Sequence, residues 1–115
     1  MPRFVILEHD HPFPHIDFMI ESGEKLRTWR LLAVPAPGQT IAAEAIGDHR
    51  TDYLDYEGPV SGGRGSVKRW DAGTFAMNAE SDRELRLTLS GDRVQGMVEL
   101  RQIEGEGGNW RLKWP

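Results

Sequence analysis

Apolar residues recur at every second position through most of this chain, in short runs broken by Gly, Pro, Asp and Ser, which is the period of a strand with one buried face. In HIDFMIE, Ile16, Phe18 and Ile20 alternate with His15, Asp17, Met19 and Glu21. RFVILE precedes this run and LRTWRLLA follows it after the turn ESGEK; SVKRW, GTFAM, ELRLTL, VQGMVELR and NWRLKW repeat the pattern further on. SGD at 90–92 predicts a hairpin turn. In the last run Trp110, Leu112 and Trp114 share one face, with Arg111 and Lys113 on the other.

Many short strands at close spacing, with frequent glycine turns, predict an all-β fold. We expect a small closed or nearly closed antiparallel β barrel, in preference to a sandwich, with at most one or two short helices. TIAAEAI, by its alanine and glutamate content, and ESDRELR are the two stretches that could supply them. A length of 115 residues, without repeats or a linker, predicts one domain over 1–115.

Hydrophobic content of 38% with 13 glycines and 7 prolines fits a globular, loop-rich chain. The absence of cysteine removes disulfides, thiolate metal sites and cysteine nucleophiles, so any metal must be held by nitrogen and oxygen. That suits a reducing cytoplasm, and neither a secretory signal nor a membrane span is expected. A formal net charge of −4 argues against a broad basic face tracking long nucleic acid, while leaving room for a short contact. Lys25, Arg27 and Arg30 form one local basic cluster and Arg64, Lys68 and Arg69 another, either as anion contacts or as solvated strand faces.

Chemistry concentrates in HDHPFPHIDF, residues 9–18, which holds three of the four histidines. Pro12 and Pro14 forbid a regular helix there, so the segment is a loop running into a strand. On that strand His15 and Asp17 project to one side. His9, closing the preceding strand, can return across the loop to complete three ligands. Two imidazoles and one carboxylate with open positions suit a divalent ion such as manganese or zinc; the alternative is a polar loop of surface histidines. His11 is expected to face solvent.

These residues also carry a resemblance. HDHPFPHIDFMIE resembles the motif His-Asp, four residues, His-Tyr-Asp-Phe-Arg-Leu-Glu of the 3'-phosphoesterase domain of bacterial DNA ligase D and its free-standing relatives. GDHRTDYLDYEG, GSVKRWDAGTF and ELRLTLSGDRVQGMVELRQ resemble later motifs of the same family, and with NWRLKW the likeness runs nearly the whole length. The resemblance implies a small β barrel with a manganese-dependent activity that trims 3' ends of DNA or RNA strands, acting beside DNA end-joining proteins. It implies His9, His15 and Asp17 as metal ligands, and His49 and Tyr53 as the residues contacting the scissile phosphate.

The family's cationic phosphate clamp is largely missing. Met19 stands where the family has arginine; a family lysine falls on Ala33 or Ala36, a second arginine near Ile41, and a glutamate on Gly47. Arg27, Arg30, Arg50 and Arg64 are candidate replacements, with Arg50 and Arg64 the expected phosphate-binding residues; SGGRG could bring backbone amides and the Arg64 guanidinium to an anion. Two functions compete on these grounds: a metal-dependent 3'-phosphoesterase, and a non-catalytic module that binds metal or strand ends in DNA repair.

Overall fold

The computed structural model describes residues 1–105 and 107–115. Its strands are β1 (Arg3–His9), β2 (His15–Ser22), β3 (Lys25–Leu31), β4 (Thr40–Arg50), β5 (Gly58–Pro59), β6 (Ser66–Glu80), β7 (Glu84–Gly91), β8 (Gln95–Gln102) and β9 (Asn109–Lys113), with one 3-10 turn at Thr51–Leu54. They form one antiparallel sheet in the order β1-β2-β3-β4-β9-β8-β7-β6-β5, and a β1–β6 pairing closes eight of them into a barrel with β5 as an extra strand on β6.

The alternating residues fill the barrel. Phe4, Ile6, Phe18, Ile20, Trp29 and Leu31 enter from β1 to β3, and meet Leu85, Leu87, Leu89, Val98 and Leu100 from β7 and β8. Trp110, Leu112 and Trp114 are buried while Arg111 and Lys113 are exposed, as the period of the last run requires. Trp110 meets Trp29 edge-on at 5.6 Å and Trp114 meets Trp70 at 5.9 Å, so the final strand seals the core with indoles.

The strand reading needs three corrections. TIAAEAI is not a helix: it is the start of β4, held between β3 and β9 with Ile41 and Ala43 turned inward, and pairing on both edges overrides its helical propensity. ESDRELR is a tight turn running into β7, where Ser81 Oγ accepts the Glu84 amide at 3.1 Å and the Ser81 amide donates to the Glu84 carbonyl at 2.9 Å. SVKRW and GTFAM are parts of the single strand β6, which pairs with β1 along its first half and with β7 along its second.

A second, smaller core lies outside the barrel. Val5, Leu7, Met19, Leu26 and Val67 point away from the interior and are covered by Leu54 of the 3-10 turn and by Val60. This explains why FVIL in β1 is apolar without interruption: the strand is buried on both faces. The second core also places the candidate site residues, because they continue the same outer face.

Candidate functional site

β1 ends on His9, β2 begins on His15, and the two are direct cross-strand partners, with Leu7 opposite Asp17 in the next outward-facing pair. Side-chain alternation therefore sets His9, His15 and Asp17 together at one end of the outer face. Their ligand atoms all lie within 4.8 Å of one another. Asp17 Oδ2 is 3.4 Å from His15 Nε2 and 3.9 Å from His9 Nδ1. Neighbouring ligands bonded at about 2.1 Å to one ion stand roughly 3 to 3.5 Å apart, so the first spacing fits and the second needs a closure of a few tenths of an ångström.

Each imidazole is oriented by its other nitrogen. His15 Nδ1 bonds the Phe13 carbonyl at 2.8 Å, and His9 Nε2 bonds the Arg64 carbonyl at 2.8 Å. Both are donations to carbonyls, which fix the tautomers and leave His15 Nε2 and His9 Nδ1 as bare lone pairs facing Asp17. His15 and Asp17 are buried, yet His15 Nε2 and Asp17 Oδ1 have no hydrogen-bond partner. Burying such atoms unsatisfied costs about 1–3 kcal/mol each, and a cation would satisfy them together.

The carbonyl serving His9 is itself anchored. Asp10 Oδ1 accepts the Ser66 amide at 2.8 Å, and that backbone bond holds the Asp10 carboxyl below the ordinary carboxylate range. Gly65, at φ +71°, lies so close beneath that a Cβ would stand 2.0 Å from Asp10 Oδ1. The glycine-rich turn thus delivers a backbone oxygen to the cluster. The Arg64 guanidinium folds back on its own turn, with Nε on the Ser61 carbonyl at 2.7 Å and Nη2 on Ser61 Oγ at 3.1 Å.

His49 and Tyr53 lie together, rings 5.7 Å apart, with His49 Nδ1 bonded to the Gly47 carbonyl at 2.9 Å and Nε2 left free. They share the outer face with the cluster but not its end. His49 pairs with Leu26, which pairs with Glu21, four residues along β2 from Asp17; at about 3.3 Å per residue that is roughly 13 Å of backbone offset. Met19, 1% exposed, fills the face between them. Arg50 lines a shallow pocket beside Tyr53 and Tyr56, of about 250 Å³.

Of the remaining arginines, Arg27 faces the other way, on the interior row with Ile20, where its guanidinium covers Trp29 at 4.9 Å. Arg30 pairs directly with Asp17 across β2 and β3. His11 is exposed. The loops beyond the cluster frame a groove of about 800 Å³ at the barrel mouth, bordered by His9, His15, Phe13, Leu32, Val34 and Lys68. Asp10 and Gly65 escaped the sequence reading as supports of the cluster. Their contact spans 55 positions, and the one local signal was an aspartate next to His9.

Fold and cluster together define a class: a small antiparallel barrel carrying an open set of two imidazoles and one carboxylate on its outer face. Residues 7–102 match the family model described as the DNA Ligase D 3'-phosphoesterase domain, and the chain belongs to that family. It is 34% identical over 125 residues to the multifunctional non-homologous end joining DNA repair protein LigD of Mycobacterium tuberculosis, and 28% over 123 residues to the corresponding protein of Pseudomonas aeruginosa. Each alignment covers 96% of this chain but only 16% and 14% of the relative, so the chain spans about one seventh of their length.

Proposed function

We propose that this domain is a divalent-metal-dependent phosphoesterase acting on the 3'-terminal phosphate esters of DNA or RNA strands, in the end-processing role its family suggests. The observation that carries the reading is the convergence of His9 Nδ1, His15 Nε2 and Asp17 Oδ2, with each imidazole's other nitrogen tied to a carbonyl. The donor set suits manganese or zinc, and such an ion, when bound, supplies Lewis acidity toward a phosphoryl oxygen. Asp17 and the two histidines hold the charge at one end of the outer face. His49, Tyr53 and Arg50 steady the substrate's sugar–phosphate chain from the other end.

Metal titration and end-group release test this on the same preparation. Manganese or zinc should bind the parent with one-to-one stoichiometry by calorimetry, and His15→Ala should abolish binding. Asp17→Asn should weaken it less, since an amide oxygen still ligates. Release of inorganic phosphate from a 3'-phosphorylated oligonucleotide should require the metal and fall with both variants. Stoichiometric binding without release would favour the non-catalytic strand-end module. An His15→Ala protein that binds metal like the parent would sink the ligand assignment.

A further inference from the structure

We propose that Arg30 is the phosphate-recognising residue of this domain, its guanidinium standing one strand away from the position at which Met19 leaves none. The inference rests on the reading of the His9–His15–Asp17 cluster as the phosphoryl site. Arg30 is the direct cross-strand partner of Asp17 and shares its outward face. Its other cross-strand neighbour is Glu44. With a carboxylate on either side, an arginine on a strand surface ordinarily pairs; among the described residues Arg30 makes no ion pair with Asp17 or Glu44, and its Nε is buried without a hydrogen-bond partner.

The guanidinium is turned instead toward the loop that leads into His15. It lies 5.4 Å from the Phe13 ring, and that ring meets His15 edge-on at 5.5 Å. Stacking on an aromatic face fixes the plane of the fork while leaving its N–H groups unengaged. A planar, preoriented fork beside a metal-binding carboxylate is the arrangement that grips two oxygens of a phosphate monoester. Of the other three arginines that could replace the clamp, Arg64 bonds Ser61, Arg27 faces the interior row, and Arg50 stands near Tyr53.

The test measures binding, so it does not depend on turnover. The probe is a labelled single-stranded oligonucleotide whose 3' end carries a phosphonate, with carbon replacing the bridging ester oxygen so that it cannot be hydrolysed. Its anisotropy is read with the manganese-loaded full chain against the same strand ending in a 3'-hydroxyl. The parent should prefer the phosphonate end by tenfold or more, about 1.4 kcal/mol. Arg30→Gln, which keeps part of the stem, should cut that preference fivefold or more, leaving only what the ion itself contributes, while metal affinity by calorimetry stays unchanged. Arg30→Lys should retain only part of it, lacking the fork. An Arg30→Gln domain that melts like the parent and keeps the full preference overturns the proposal, as does a parent blind to the end group. A parent that discriminates but never releases phosphate overturns the phosphoesterase reading and leaves Arg30 as the end-recognising residue.

Discussion

A methyl group at Gly65 would stand 2.0 Å from Asp10 Oδ1 and 2.7 Å from His11 Cβ, at a backbone φ that only glycine adopts freely. Gly65→Ala should therefore break the Asp10–Ser66 bond, draw the Arg64 carbonyl away from His9 Nε2, and lower metal affinity tenfold to a hundredfold, the usual range for lost ligand support. Because the turn lies outside the barrel, the melting temperature should move by only a few degrees; calorimetry and dichroism on one sample separate the two effects. Met19 behaves oppositely. Restoring the family's arginine there places a guanidinium at a position 1% exposed among Val5, Leu7, Leu26 and Leu54. Burying an unpaired charge opens that core, and Met19→Arg should lower the melting temperature by about 10 °C or more without raising activity above the parent's. The sequence put His15 and Asp17 on one strand face, whereas the return of His9 to them stood open beside a loop of surface histidines and is settled geometrically only by the β1–β2 pairing. Arg30 was one arginine among four, since what distinguishes it, a stack on Phe13 and an empty Nε, arises only when β2 and β3 are paired.

Strands were legible wherever one face is apolar and the other polar, as in β2, β8 and β9. β4 was not, because Ala42, Ala43, Ala45 and Glu44 carry no β preference and its identity comes from neighbours on both edges. β6 hid its length, because Ala72 and Gly73 interrupt the apolar period just where β1 is exchanged for β7. The turn between β7 and β8 has its own anchor. Buried Asp71 on β6 accepts the amides of Asp92 at 2.9 Å, Arg93 at 3.2 Å and Val94 at 2.8 Å. Asp71→Ala leaves these donors without their acceptor and should destabilise the domain by about 3 kcal/mol or more in denaturant titration. Trp110→Ala, which removes one of the indoles sealing the core, should cost about 3–5 kcal/mol. A Trp110→Ala domain of parental stability would mean that β9 is peripheral to closure.

Over the whole molecule two exposed acidic anchors add a small, solvent-screened response to pH. The backbone bond from Ser66 lowers Asp10, and the hydrogen bond from Arg3 lowers Asp55, each below its ordinary value of 3.8. Folded values below unfolded ones contribute stability that is complete above about 3.8 and lost as pH falls through the depressed values. The amide of Ser66 should therefore lose protection from hydrogen exchange at acid pH before the core amides of β7 and β8 do. With a net charge of −4 and few free cations on the outer face, strand binding should be only weakly salt-dependent. Two or three phosphate contacts give a log–log slope of about −1.4 to −2.1 for single strands, and a markedly steeper slope would mean a larger basic surface than these residues offer. The closure of the barrel also governs how quickly it can be reached. One seam joins Arg3 to Thr74 and the other Thr40 to Lys113, each linking positions about seventy residues apart, whereas the two histidines of the cluster belong to a single hairpin. Long loops must close before either seam yields any burial, which places refolding in the range of roughly milliseconds to seconds. The hairpin, by contrast, can form in about 1–10 μs. Zinc present from the start of refolding should thus steepen the recovery of tryptophan fluorescence, as a clasp that holds the first two strands ready while the rest of the chain finds its way round.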